Sequence, residues 1–241
     1  MIENLSKDLK KLANPKKAKI LQRFFKTGKG EYGEGDVFLG VTVPDCRKIA
    51  QKYKELSLKD VTKLLQSKVH EERLIALLIL VHNFQRGNEE EKKRIYDFYM
   101  SHTGYINNWD LVDLSADKIV GEYLLSDEGF WTSQNDILIN LARSKNLWER
   151  RIAIISTFQF IKKQKDAVWT FKISKILLND KHDLIQKAVG WMLREVGKNI
   201  SQKVEEDFLK KYYKNMPRTM LRYAIERFPD ELKQAYLRGK I

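Results

Sequence analysis

The stretch "HEERLIALLIL" (His70–Leu80) decides the fold, because it can be laid over four later stretches of the chain. They are "NNWDLVDLSADK" from Asn107, "NLWERRIAIIS" from Asn146, "HDLIQKAVGWM" from His182 and "RTMLRYAIERF" from Arg218. The starts are 37, 39, 36 and 36 residues apart. Each unit opens on a polar residue suited to an N-terminal cap, weakest at Arg218, and continues as a helix with a small or apolar inner face. More polar helical segments alternate with them, such as "NEEEKKRIYDFYM" (Asn88–Met100) and "SQKVEEDFLKKYYKN" (Ser201–Asn215). Two helices per repeat of this length predict an all-α, HEAT-like helical-repeat solenoid, an α-α superhelix with a concave binding surface.

Working outward, nothing opposes that reading. Pro15, Pro44, Pro217 and Pro229 fall at expected helix starts or turns, and none interrupts the chain between Pro44 and Pro217. "DVFLGVTV" (Asp36–Val43) is the single strand candidate. No linker divides the chain: "SDEGFWTSQND" (Ser126–Asp136) reads as an ordered turn, so one curved domain spanning 1–241 is expected. The apolar run "LIALLILV" (Leu74–Val81) is too short to span a bilayer. With no apolar signal core at the N-terminus and a single cysteine, Cys46, the sequence reads as cytoplasmic and free of disulfides.

The formal net charge of +13 is the first functional clue, since such a field attracts polyanions, nucleic acid foremost. Two motifs are set aside. "GKGEYG" (Gly28–Gly33) spells a dinucleotide fingerprint, yet a helix precedes it and no βαβ unit surrounds it. His70, His82, His102 and His182 are scattered without cysteines at ligand spacing, and three lie near helix ends, where capping or solvation is the default.

Trp109 and Asp113 are more informative. Four residues apart, they share a helix face beside the apolar stripe of Val112, Ala116, Ile119 and Tyr123. Asp110 lies off that face and is expected to matter little. The following units offer Trp148 and Arg151, then Lys187, Trp191 and Arg194, and a solenoid could present Trp109, Asp113, Arg151 and Trp191 to one groove. The plainer alternative makes the tryptophans core filler and Asp113 a solvated acid favouring the helix dipole.

"NNWDLVD", "NLWERRIAI", "IQKAVGWMLRE" and "MPRTMLRYAIE", together with "FFKTGKGEYGEGDVFLGVTVPDCRKIA", resemble the bacterial DNA alkylation repair family of HEAT-like glycosylases, in order from about Leu21 to Phe228. The resemblance implies base excision of N3- and N7-alkylated purines from duplex DNA by a monomer that needs no metal or cofactor. It also implies Asp113 as the catalytic aspartate, Trp109 and Trp191 as flanking indoles, and Arg151 at a phosphate. Phe24, Trp148, Lys187, Arg194, Arg218 and Arg222 are expected as further DNA contacts. Where the family can carry a tyrosine, this chain has Phe24, so the ring is kept and its hydroxyl is not. The alternatives are a HEAT-like solenoid that binds nucleic acid without chemistry and, behind it, a protein-interaction scaffold with an acidic partner.

Overall fold

Residues 1–126 and 136–241 are described by a computed structural model. The described chain is an all-α helical-repeat protein with no strand. "DVFLGVTV" makes only an isolated parallel bridge, Val37 to Val69, before it enters a helix. Most of the stretch "SDEGFWTSQND" lies outside the described residues. Packing groups the residues into two units, Met1–Ser115 and Ala116–Ile241.

The first unit carries α1 (Ile2–Lys11), α2 (Pro15–Phe24), α3 (Val43–Lys52), α4 (Leu58–Leu65), α5 (His70–Arg86), α6 (Glu89–Ser101) and α7 (Trp109–Ala116). Helix α5 is its centre and packs against α3, α4 and α6. That position explains "LIALLILV": every residue from Leu74 to Val81 is buried, so the helix is apolar on nearly all sides. The surrounding helices start where short side chains cap them. Asn14, Thr42 and Ser57 accept from the backbone amides of Lys17, Asp45 and Asp60, and Asn88 forms a full capping box with Glu91.

The second unit holds α8 (Glu122–Ser126), α9 (Ile137–Ala142), α10 (Leu147–Ser156), α11 (Val168–Ile176), α12 (Asp183–Asn199), α13 (Gln202–Tyr212), α14 (Arg218–Ala224) and α15 (Asp230–Leu237). Here the repeat is visible in space: α10 packs on α12 and α12 on α14, while α11 and α13 come between them in the chain. Asn146 and His182 accept from the amides of Trp148 and Leu184, as their repeat positions require. Gly190 sets the spacing of α12 and α14. A Cβ there would stand 2.4 Å from the Met220 carbonyl oxygen, so a side chain would force the two helices apart.

Candidate active site

Phe25 ends α2, and the chain turns through Lys26 at a positive φ of 50°. The "GKGEYG" loop follows and satisfies itself: the Glu31 carboxylate accepts from the Gly28 amide and the Glu34 carboxylate from the Gly30 amide. The amides that would cradle a phosphate are therefore occupied. The loop returns to Asp36, after which the Val37 amide donates to the Lys68 carbonyl and the His70 amide to the Val37 carbonyl. This local pairing brings Asp36 beside the first turn of α5.

His70 is corrected by its position. It does not cap α5, whose N-cap is Val69, and it is 2% exposed. Its Nδ1 lies 3.2 Å from Asp36 Oδ2, and its Nε2 lies 2.8 Å from Asp110 Oδ2. Arg73 Nη2 lies 2.6 Å from the same Asp36 oxygen, and Nη1 donates to the Ser67 carbonyl at 2.9 Å. Asn108 is fully buried; its Nδ2 donates to Asp36 Oδ2 and its Oδ1 accepts from the Trp109 amide. The asparagine before the tryptophan thus ties the start of α7 to the loop. Asp110 is corrected as well: it is a partner of a buried histidine rather than a neutral bystander.

The electrostatics follow from this packing. Burial is the largest influence on His70 and pushes its imidazole down, yet the Asp110 charge and the hydrogen bonds to Asp110 and Asp36 outweigh it and raise it above its ordinary value. Burial likewise acts to raise Asp36, but His70 and Arg73 hold it below the usual carboxylate range. Beside this cluster, Glu71 is buried and accepts from the amides of Leu39, Gly40 and Val41. Gly40 has a φ of +80°, and a Cβ there would meet the Asn14 carbonyl oxygen at 2.3 Å, so the turn demands glycine.

Rings line the other side. Phe38 stacks on His70 with centroids 4.4 Å apart, Phe25 stacks on Phe38 at 4.9 Å, and Phe25 stacks on Trp109 at 5.1 Å. Phe24, 61% exposed, meets the Trp109 ring edge-on at 5.9 Å. A cleft of about 300 Å³ opens along Phe24, Phe25, Phe38 and His70, bordered also by Ile20, Val43 and Asp110. Trp109 and Asp113 are both half-buried, one turn apart on α7, with Val112 and Ala116 fully buried behind them.

The remaining expected residues lie in the second unit. Trp191 is half-buried and its Nε1 donates to Glu195 at 3.2 Å. Arg194 is held by Glu226 and Glu195, and Lys187 by Asp183 at 2.8 Å. Arg218 and Arg222 are exposed, the former donating to the Leu237 carbonyl. Two residues expected to contact DNA are buried. Trp148 is buried among the apolar side chains, and Arg151 is 5% exposed with Nη1 on the Leu184 carbonyl. Arg151 thereby ties α10 to the first turn of α12. Among the described residues no set of three or more His, Cys, Asp or Glu side chains could hold a metal ion, and no helix is long and apolar enough to cross a membrane.

An all-α repeat fold with a tryptophan and a carboxylate one turn apart on a half-buried helix face defines the class to which comparison can be put. Residues 5–228 match the family described as DNA alkylation repair enzyme, and the chain belongs to that family. A solved structure described as a predicted DNA alkylation repair enzyme from Enterococcus faecalis is similar with a TM-score of 0.67 and 19% identity, covering 90% of this chain and 97% of that one. At that identity the likeness carries the fold alone. No curated protein gives a significant match.

Spacing could not have revealed His70, Asp36, Arg73 and Asn108 as one cluster. The visible signal was weaker: His70 and Arg73 stand in the first turn of α5, directly before the apolar run Leu74–Val81, and Asn108 stands directly before α7.

Proposed function

We propose that this protein is a DNA glycosylase that hydrolyses the N-glycosidic bond of cationic N3- or N7-alkylated purines in duplex DNA. The observation that carries the reading is the pairing on α7: an indole stacked on Phe25 and, one turn on, a half-buried carboxylate, in a chain of net charge +13 from a repair family. A pure phosphate binder gains nothing from a carboxylate so placed.

The chemistry suits a single acid. An alkylated purine already carries positive charge, so it leaves as a neutral base, taking the electron pair of the C1′–N bond, without being protonated first. What the reaction lacks is stabilisation of the oxocarbenium-like sugar and a positioned water. Asp113 supplies both: its negative charge faces the developing cation, and it accepts the proton from the water that adds to C1′. Trp109 can hold the cationic nucleotide against its ring face, at about 0.5–2 kcal/mol depending on desolvation. Phe24, exposed at the edge of that indole, extends the apolar wall. Trp191, Lys187, Arg194, Arg218 and Arg222 are assigned to the duplex, chiefly its phosphates. Assigning Arg151 to a phosphate requires its guanidinium to exchange the Leu184 carbonyl for the DNA backbone.

The test is incubation with a duplex bearing one N7-methylguanine, scored for abasic-site formation by the wild type and by Asp113→Asn. The near-isosteric amide keeps the fold and the affinity for undamaged duplex, and the single-turnover rate drops about a hundred- to a thousandfold. Equal rates in the two proteins would end the catalytic assignment and favour the alternative, a helical-repeat protein that binds nucleic acid without cleaving it.

A further inference from the structure

We propose that His70 is a positioning residue for Trp109 and Asp113: a doubly protonated imidazole, wedged between Asp36 and Asp110 and stacked on Phe38, that fixes the first turn of α7. The functional half of this inference rests on the glycosylase reading.

The geometry carries it. Both ring nitrogens face carboxylate oxygens, at 3.2 Å and 2.8 Å. A neutral imidazole has one N–H, so one of those contacts would set a lone pair against a carboxylate; the imidazolium donates to both. Arg73 Nη2 also stands 3.5 Å from Nδ1, but the short contacts of that guanidinium go to Asp36 and the Ser67 carbonyl.

Charge counting agrees. Asp36 and Asp110 supply two negative charges, His70 and Arg73 two positive ones, and the cluster is neutral, as burial demands. The other groups near it add nothing mobile. Glu71 is satisfied by three backbone amides. The Cys46 thiol of α3 is pushed up to about 12 by burial and by the charge of Glu71, so it stays protonated. With the pull of Asp110 and Asp36 exceeding the effect of burial, the imidazolium form of His70 is favoured over what a free histidine would show.

Two routes connect this cation to the site. Asp110 follows Trp109 directly, so the 2.8 Å bond anchors the turn from which the indole projects and which leads to Asp113. The rings form a second route: Phe38 covers the imidazolium, Phe25 covers Phe38, and Trp109 lies on Phe25. A cation against the first ring strengthens that stack. Loss of the proton breaks one of the two hydrogen bonds and leaves a carboxylate uncompensated, releasing the turn.

The experiment uses the whole chain labelled with [15N]histidine and 5-fluorotryptophan, the Trp109 fluorine signal being assigned with Trp109→Phe. The expected result is two protonated ring nitrogens on His70, a midpoint above the ordinary ~6.5, and a Trp109 fluorine shift with the same midpoint. In Asp110→Asn, which keeps an acceptor but removes the charge, both midpoints fall together. A singly protonated His70 at pH 6, or a Trp109 signal that ignores the titration, overturns the proposal.

These readouts hold even if no variant releases a base, an outcome that counts against the glycosylase reading alone. Where base release is seen, its single-turnover rate falls as pH rises through the His70 midpoint, and Asp110→Asn moves that limb to lower pH. A limb that stays in place overturns the positioning role. His70→Gln, if folded, lowers the rate about ten- to a hundredfold through misplacement, while duplex affinity stays within about twofold.

Discussion

Each unit holds one tryptophan of the expected pair in a polar network, and the two networks are built on opposite electrostatic plans. Around Trp109, buried Asp36 and half-buried Asp110 meet two buried cations, Arg73 and His70, and each carboxylate makes its shortest contact with one of them. Around Trp191, the indole donates to Glu195, whose other partners are Arg194, Asn199 and Lys198. Yet Glu205, buried in the same unit, is pushed up to about 9, first by burial and then by the charge of Glu206. Among the described residues its Oε1 has no hydrogen-bond partner. A buried charge is tolerated where its counter-charge is also buried; where it is not, the group neutralises itself.

Breaking the balanced cluster should give the largest effect. Asp36→Ala leaves His70 and Arg73 without their shared carboxylate, and urea unfolding should register a loss of about 3–5 kcal/mol. Under about 1 kcal/mol would mean that the four charges do not act as a unit.

Glu205→Gln sharpens the contrast through its sign. A carboxyl raised in the fold stabilises below its unfolded value of 4.5, and that contribution is lost as pH climbs towards 9. Wild-type stability should therefore fall by on the order of 1 kcal/mol per pH unit across that range, while the amide variant lacks this slope and gains at pH 8. His70 and Asp36 act differently. The raised His70 stabilises below about 6.5 and loses that contribution as pH rises through its folded value. The lowered Asp36 stabilises above its ordinary 3.8 and loses it as pH falls. The first cluster is therefore strongest in the weakly acidic range. Parallel slopes for wild type and Glu205→Gln in pH-dependent thermal melts would erase the distinction.

Trp191→Phe removes the indole donor to Glu195, which retains Asn199, Arg194 and Lys198, and trims the ring beside Phe158, so a loss of about 0.5–1.5 kcal/mol is expected. Phe24→Ala should be the mildest. The ring is mostly exposed and gives up chiefly its edge contacts with Phe25 and Trp109, about 0.5–1 kcal/mol by chemical denaturation. A loss comparable to that of Asp36→Ala would place Phe24 in the core.

The helix starts were legible because their signals are local. Asn88, Asn146, Ser201 and His182 each cap within two or three residues, and the prolines stand at the N-cap or in the first two positions of the helices they begin. The shared face of Trp109 and Asp113 was legible for the same reason, since four residues make about one turn whatever surrounds them. "LIALLILV" was legible as apolar but not as central, because hydropathy does not say which neighbours cover it.

The sequence alone determined the repeat, the all-α class and the α7 pairing, all set by contacts within one or two turns of helix. Only the tertiary structure decided which charges share a site. His70 is 34 residues from Asp36 and 40 from Asp110, while Asn108 reaches back 72 to the same carboxylate. No period or spacing encodes such a meeting. It arises when the Val37 bridge, the turn at Gly40 and the packing of α5 remove those side chains from water together, and burial then forces opposite charges and hydrogen bonds to find one another.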